Sequence, residues 1–131
     1  MAARALATPS LQVAPGQGGI LDDKTGAFRI VAEIENPARP GERRLLGSVL
    51  VDTRAELSWV PADVLDSLGI ERYTTLRFRQ ADGTVLERWT GAAFIHVGGK
   101  RTSDDVVFGE AADLVLLGAR SLEGLISAST R

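Results

Sequence analysis

The sequence Leu50-Val51-Asp52-Thr53-Arg54-Ala55-Glu56-Leu57 places an acidic side chain directly after an apolar run that begins at Leu45. The run predicts a buried β-strand, Asp52 and Thr53 predict a turn, and a second apolar segment follows from Leu57 to Val60. An aspartate after a strand commonly caps backbone N–H groups in the turn. The alternative is that Asp52 is a catalytic carboxylate, and the choice between the two depends on the wider pattern of the chain.

Several segments in a fixed order favour the catalytic interpretation. They are VDTRAELSWVP, PADVLDSLGI, FRQADGTVLER, DDVVFGE and LVLLGARSLEGL. From about Gly26 to Leu125 the chain resembles the retropepsin-like aspartic proteases, and the similarity is closest to their small bacterial single-lobe branch. The family motif is Asp-Thr/Ser-Gly-Ala, so that Arg54 stands where the family has glycine.

The resemblance implies an all-β fold, an acid-protease-like single-lobe closed barrel with one or two short helices. It also implies a homodimeric endopeptidase in which Asp52 and Thr53 are catalytic, with Thr53 bracing the two loops across the dimer axis. Arg54 and Ala55 would border the substrate, and Ala55 would also pack beneath the loop. The hairpin tip would be a flap that closes over an extended peptide through Ala81, Asp82, Gly83 and Thr84.

Hydrolysis of a peptide bond by aspartates requires two carboxyls that share a proton, because one activates water while the other protonates the carbonyl oxygen. A single motif supplies only Asp52. The other aspartates are expected on a helix, in a turn, at the start of a strand or in a loop, namely Asp63, Asp66, Asp82, Asp104, Asp105 and Asp113. The second carboxyl is therefore expected from Asp52 of another copy.

Composition bounds the class of protein. The chain has 131 residues, a formal net charge of −2, no cysteine and one histidine. This length predicts one domain that buries about two-thirds of its unfolded surface. Because basic and acidic side chains are nearly equal in number, the sequence gives no indication of binding to nucleic acid or to an anionic membrane. Without cysteine, disulfides and thiolate zinc sites are excluded. We expect no metal and no cofactor, and the partners expected are a second copy and a peptide substrate.

The first 22 residues predict a flexible arm, and residues 23–131 predict the retropepsin-like domain. The arm is rich in Ala, Gly, Gln and Pro and carries too little apolar surface to offset the entropy of ordering. Its first 19 residues lack the apolar run of a secretory signal or a membrane span. Cytoplasmic residence is the default expectation.

Periodicity predicts seven or so short strands. Phe28 to Ile34 alternates as a half-buried strand, and Ala81-Asp82-Gly83 predicts a hairpin turn, because Asp-Gly tolerates positive φ. Pro61 and Gly69 bracket a short helix. Further strands are predicted at Gly91–Val97, Asp104–Phe108 and Leu114–Leu117, and one or two helical turns at Ala119–Glu123.

Three other functions fit parts of the sequence. Ser-His-Asp catalysis could use His96, but there is no Gly-x-Ser-x-Gly motif and His96 alternates with an apolar face. A calcium site at Asp104-Asp105 lacks spaced oxygen ligands. A third alternative follows from Arg54, which cannot match the small size of glycine. In that case the chain is a protease-fold domain that has lost catalysis and serves as a dimerisation or peptide-binding module.

Overall fold

A computed structural model describes residues 12–13 and 28–128. Within those residues the chain is mostly β, with two short helices, which confirms the predicted class. The strands are β1 Gln12–Val13, β2 Phe28–Glu35, β3 Arg43–Val51, β4 Ser58–Pro61, β5 Thr74–Arg79, β6 Val85–Val97, β7 Lys100–Gly109 and β8 Leu116–Leu117. The helices are α1 Ala62–Ser67 and α2 Ala119–Ser127.

The local patterns predicted several elements correctly. In β2 the alternation directs Ala32 and Ile34 into the core, where both are fully buried. Pro61 precedes the first residue of α1, and Gly69 follows the helix with φ 76°. The helix is too short to be stable alone, and it packs through buried Leu65 and Leu68.

The prediction that β3 is buried along its length was wrong. Leu45 is 63% exposed and Leu46 is half-buried, whereas Val49 and Leu50 are buried. The physical reason is an irregularity in the pairing with β2, which places Leu45 opposite Glu33 and outside the main core. The outer end of β3 pairs with β2 alone, and its register shifts there at a bulge.

The prediction of separate strands before and after Gly91 was also wrong, since β6 runs unbroken over 13 residues. Its first half pairs with β5 as far as Thr90, and from Thr90 onward it pairs with β7. A side chain at Gly91 would lie 2.6 Å from the Glu71 carbonyl oxygen. The glycine therefore permits a close backbone approach where the strand changes partner, and it does not end the strand.

The strands form one strongly curved sheet in the order β1-β5-β6-β2-β3-β8-β4-β7, and β7 also pairs back onto β6. Between β6 and β7 in this order, the shortest pairings are those of β8. Leu50 and Val51 of β3 pair with Leu116 and Leu117, and Trp59 of β4 pairs with Leu116. The sheet thus returns on itself, but it is less regular than the predicted closed barrel. Its curvature encloses the main core of buried apolar side chains, which includes Ile34, Val49, Ile95, Val106 and Leu117.

The predicted N-terminal arm lies outside the described residues except for Gln12 and Val13. These two residues pair in parallel with Phe78 and Arg79 of β5. In the part of the chain that the structure describes, neither helix is long and apolar enough to cross a membrane.

Candidate functional site

Asp52 is the first residue after β3, and its side chain is only 7% exposed. Its backbone N–H donates to the Leu117 carbonyl oxygen at 2.9 Å, and its own carbonyl oxygen accepts the Ala55 N–H at 3.1 Å. The loop is therefore held by β8 on one side and by its own tight turn on the other. The carboxyl has a defined position rather than the freedom of a surface side chain.

Arg54 binds this carboxylate within the same chain. Its backbone N–H and its Nε lie 3.0 and 3.2 Å from Asp52 Oδ1, and its Nη2 lies 3.4 Å from Oδ2. The Arg54 side chain is itself 59% exposed. The Asp52 carboxylate thus accepts hydrogen bonds from the backbone N–H and the guanidinium of Arg54, and one edge of that ion pair faces water.

The junction between β8 and α2 crosses the Asp52 loop. The Ala119 and Arg120 N–H groups donate to the carbonyl oxygens of Ala55 and Glu56 at 2.8 and 3.0 Å. The first amides of a helix have no acceptor within the helix. Here the loop supplies those acceptors, so the start of α2 and the loop after Asp52 stabilise one another.

Gly118 makes this crossing sterically possible. A Cβ at position 118 would lie 2.5 Å from the Leu57 carbonyl oxygen and 2.8 Å from that of Ala55. Both contacts are with backbone atoms, which cannot rotate away as a flexible side chain would. Gly118 is therefore required because the backbone of Ala55 and Leu57 leaves no room for a side chain at this position.

We expect Gly118→Ala to destabilise the fold by about 3 kcal/mol or more, since overpacking against backbone exceeds the usual cost of an added methyl group. Urea denaturation of the two proteins measures the difference. Gly109→Ala is the matched control, because its Cβ would meet Val60 oxygen at a less severe 3.3 Å. Equal stability of the Gly118→Ala variant and the native protein would show that the crossing is looser than described.

The other predicted residues of the loop divide into exposed and buried. Thr53 is exposed in the single chain, so its hydroxyl is accessible to another molecule. Ala55 is buried and belongs to a second apolar cluster with Leu50, Leu57, Trp59, Phe78, Val107 and Leu116. The predicted packing of Ala55 beneath the loop agrees with this arrangement.

The predicted flap is a hairpin of β5 and the first half of β6, and its tip is Ala81 to Thr84. Gly83 has φ 91° and donates its N–H to the Gln80 carbonyl oxygen at 2.9 Å. Asp82 Oδ1 accepts both the N–H and the hydroxyl of Thr84, at 2.9 and 2.6 Å. The Thr84 hydroxyl and N–H lower the pKa of Asp82. The tip is therefore a self-bonded turn that projects exposed side chains.

The stems of this hairpin approach the Asp52 loop through apolar contacts. Phe78 packs edge-on against Trp59, with ring centroids 4.8 Å apart. Leu76 and Leu86 also pack on the second cluster, which contains Ala55. The structure therefore brings the hairpin stems and the loop to one cluster, whereas the hydrogen bonds of the tip side chains stay within the turn.

Arg88 and Asp113 form a second connection to the hairpin that sequence reasoning missed. Arg88 Nε and Nη2 donate to the two carboxylate oxygens of Asp113 at 2.8 and 3.1 Å, and the side chains are 12% and 11% exposed. The hydrogen bond to Asp113 raises the pKa of Arg88. The bridge ties β6 to the loop between β7 and β8. The sequence around either residue does not indicate this ion pair, because the two partners are 25 positions apart.

We expect Gly83→Val to impair ligand binding or turnover more than stability. The turn holds φ 91° at this residue, and a β-branched side chain resists positive φ at a cost of roughly 1–2 kcal/mol. An exposed tip absorbs that cost by distorting. Peptide affinity or turnover is measured beside the denaturation midpoint, with Gly99→Val as the matched control, because Gly99 holds φ 85° in the exposed turn between β6 and β7. An intact fold with unchanged binding and turnover would mean that the hairpin is not a flap.

Among the described residues, neither the alternative catalytic site at His96 nor the alternative calcium site at Asp104 and Asp105 has the neighbouring side chains that its chemistry requires. His96 Nε2 contacts Glu35 Oε1, at the end of β2 remote from the Asp52 loop. Asp104 and Asp105 contribute to no group of three or more metal-ligating side chains among the described residues. Two surface hollows of about 520 and 600 Å³ are lined by residues other than Asp52.

Comparison with models of known protein families gave no match. Comparison with curated protein sequences likewise gave no match.

Proposed function

We propose that the chain is an aspartic endopeptidase that acts as a homodimer, with one Asp52 from each copy. The observation that carries this proposal is the crossing at the loop. Asp52 is the buried acid at the end of β3, and the Gly118 junction bonds to the residues that follow it. A turn that only reverses the chain direction does not require hydrogen bonds from a second backbone segment, such as those that Ala119 and Arg120 donate to this loop.

The circuit of strand pairings supports an acid-protease-like fold. Six strands, β6, β2, β3, β8, β4 and β7, pair in sequence, and β7 returns to β6. The order brings the ends of β3 and β8 together, and the Asp52 loop begins there. The resemblance of the sequence to retropepsin-like proteases rests on residue types, and the circuit rests on backbone pairing.

In the proposed reaction the two Asp52 carboxyls share one proton across the dimer axis. The ionised carboxylate removes a proton from water, and the protonated carboxyl donates its proton to the carbonyl oxygen of the peptide. Two carboxylates a few ångströms apart repel one another unless a proton lies between them. Thr53 would brace the paired loops, and Ala81 to Thr84 would close over the extended substrate.

A second function is favoured by one specific observation, the ion pair between Arg54 and Asp52. A guanidinium that accompanies each carboxylate into the dimer would occupy the carboxylate oxygens that the reaction requires. In that case the chain binds peptides or dimerises without hydrolysing them, and Arg54 is the residue that separates the two functions.

Self-association tests the proposed enzyme most directly, since one chain supplies one carboxyl of the pair. We expect a two-fold dimer, which is the commonest oligomer of soluble proteins, detected by light scattering and sedimentation equilibrium over a wide concentration range. Pepstatin-like inhibitors should stabilise the dimer and block cleavage of a peptide library at acidic pH. A strictly monomeric particle at millimolar concentration would rule out the proposed enzyme.

A further inference from the structure

Three polar side chains that the proposed reaction does not use form a connected buried network. Ser58 on β4 and Ser121 on α2 are fully buried, and the Asp104 side chain on β7 is 4% exposed. Ser58 Oγ lies 2.9 Å from the Gly118 backbone nitrogen and 2.6 Å from Ser121 Oγ. Ser121 Oγ lies 2.9 Å from Asp104 Oδ2.

Only one assignment of protons satisfies this network. The Gly118 N–H can only donate, and an ionised carboxylate can only accept. Ser121 therefore donates to Asp104, and Ser58 donates to Ser121 while it accepts the N–H of Gly118. Each hydroxyl both donates and accepts, so the carboxylate at one end orients every group up to the backbone amide at the other.

That amide belongs to the junction that crosses the Asp52 loop. Leu117 accepts the Asp52 N–H, and the two amides after Gly118 donate to the loop carbonyl groups of Ala55 and Glu56. The Gly118 peptide group lies between these contacts along the chain. A displacement of Gly118 would therefore move the donors and the acceptor that hold the loop.

We infer that Asp104, Ser121 and Ser58 are positioning residues that hold the Gly118 amide and, through it, the Asp52 carboxyl in its reactive place. This inference rests on the proposed function for its effect on catalysis. The network itself is a property of the chain and has its own readout. Its residues come from three elements, at positions 58, 104 and 121, and none lies in the sequence motif around Asp52.

The charged end of the network is balanced by neighbouring groups. Arg120 Nη2 lies 3.0 Å from Asp104 Oδ1, and the Asp105 N–H donates to the same oxygen at 2.8 Å. Burial raises the pKa of Asp104, while Arg120, the Ser121 hydroxyl and the Asp105 amide oppose the rise, and the Asp105 carboxylate adds to it. Arg120 is 38% exposed, so the balancing charge is in contact with water.

Because the pKa of Asp104 is raised, an effect of this residue on the position of the loop can be distinguished from an effect on the stability of the fold. An acid whose pKa is raised by folding contributes most to stability below its unfolded pKa, and this contribution is lost as pH rises through the folded pKa. Ionised Asp104 is therefore a cost to stability at neutral pH. Asp104→Asn removes that cost, but an amide placed between Ser121 and Arg120 cannot accept hydrogen bonds from both of them.

The test uses the full chain with Asp104→Asn, Ser121→Ala and, as a control, Asp63→Asn in the exposed first turn of α1. Hydrogen exchange at the amides of Gly118, Ala119 and Arg120 is compared with exchange at the core amide of Ile95. We expect the network variants to accelerate exchange at the junction by about tenfold or more relative to Ile95, because the Ser58 hydroxyl that accepts the Gly118 N–H loses the partners that orient it. The control should leave the ratio unchanged.

Cleavage kinetics give a second readout. We expect kcat to fall by roughly tenfold with little change in KM, since the loop and not the peptide-binding hairpin is displaced. If the native protein cleaves no peptide, the proposed function fails while the exchange ratio still decides the positioning role. If Ser121→Ala does not fold, the isosteric Asp104→Asn variant decides it. Junction exchange within twofold of native in a folded Asp104→Asn protein would overturn the inference.

Discussion

Asp52→Asn is expected to abolish peptide cleavage while leaving the fold intact. The amide nearly matches the carboxyl in shape, so the backbone contacts of the loop with Leu117 and Ala55 should persist. It cannot take a proton from water or share one with its partner. General acid and base catalysis contributes roughly 10²–10⁴-fold for each group, and the substitution removes both roles from a symmetric dimer. The loss should therefore be at the upper end of that range or beyond it.

The measurement is kcat/KM on a peptide cleaved by the native protein, with native and variant dimers present at equal concentration. Asp63→Asn is the matched control, because it makes the same chemical change at an exposed helix position. Turnover that survives in a dimeric Asp52→Asn protein would place the catalyst elsewhere.

Arg54→Gly is expected to raise cleavage activity and to tighten the dimer, each by about tenfold. In the single chain the Arg54 side chain is 59% exposed, and an ion pair of this kind contributes roughly 0.2–1 kcal/mol. At a two-fold axis the two guanidinium groups would approach each other and lose water, and the cost of burying such charges is far larger. Removing them relieves this repulsion.

Arg54→Gln separates charge from bulk in this experiment. It removes the cation and retains a long side chain, whereas Arg54→Gly removes both. If charge suppresses the reaction, both variants should gain activity, and if bulk does, only the glycine variant should. Dimer dissociation constants and peptide-library cleavage are measured for all three proteins. Equal dimerisation and equal activity would show that Arg54 is harmless, while three inactive proteins with well-formed dimers would favour the peptide-binding module.

Local pattern was sufficient for much of the fold. The alternation in β2, the Pro61 and Gly69 boundaries of α1 and the Asp82-Gly83 turn were all predicted correctly, because each depends on the conformational preference or side-chain period of neighbouring residues. The same reasoning singled out Asp52 as the acid at the end of a buried strand. The pairing of Arg54 with Asp52 within one chain comes from the structure.

Local pattern was insufficient where the environment of a residue is set by a distant strand. Leu45 and Val49 are both aliphatic residues of β3, but only Val49 is buried, because the register of β3 with β2 shifts between the two positions. Glycine is common at strand ends, but Gly91 lies within the continuous strand β6, where the Glu71 carbonyl oxygen comes close to its Cα. Periodicity carries no information about such approaches.

The sequence by itself determined the mostly-β class, the position of the candidate carboxyl and the flap-like hairpin, since these follow from short-range periodicity and turn chemistry. Only the tertiary structure decided what holds the carboxyl in place. The crossing at Gly118, the Arg88–Asp113 bridge and the network from Asp104 to Ser58 join residues 17 to 63 positions apart. Hydrogen bonds and steric contacts act over a few ångströms, so their partners are set by how the sheet curves and not by their neighbours in the chain.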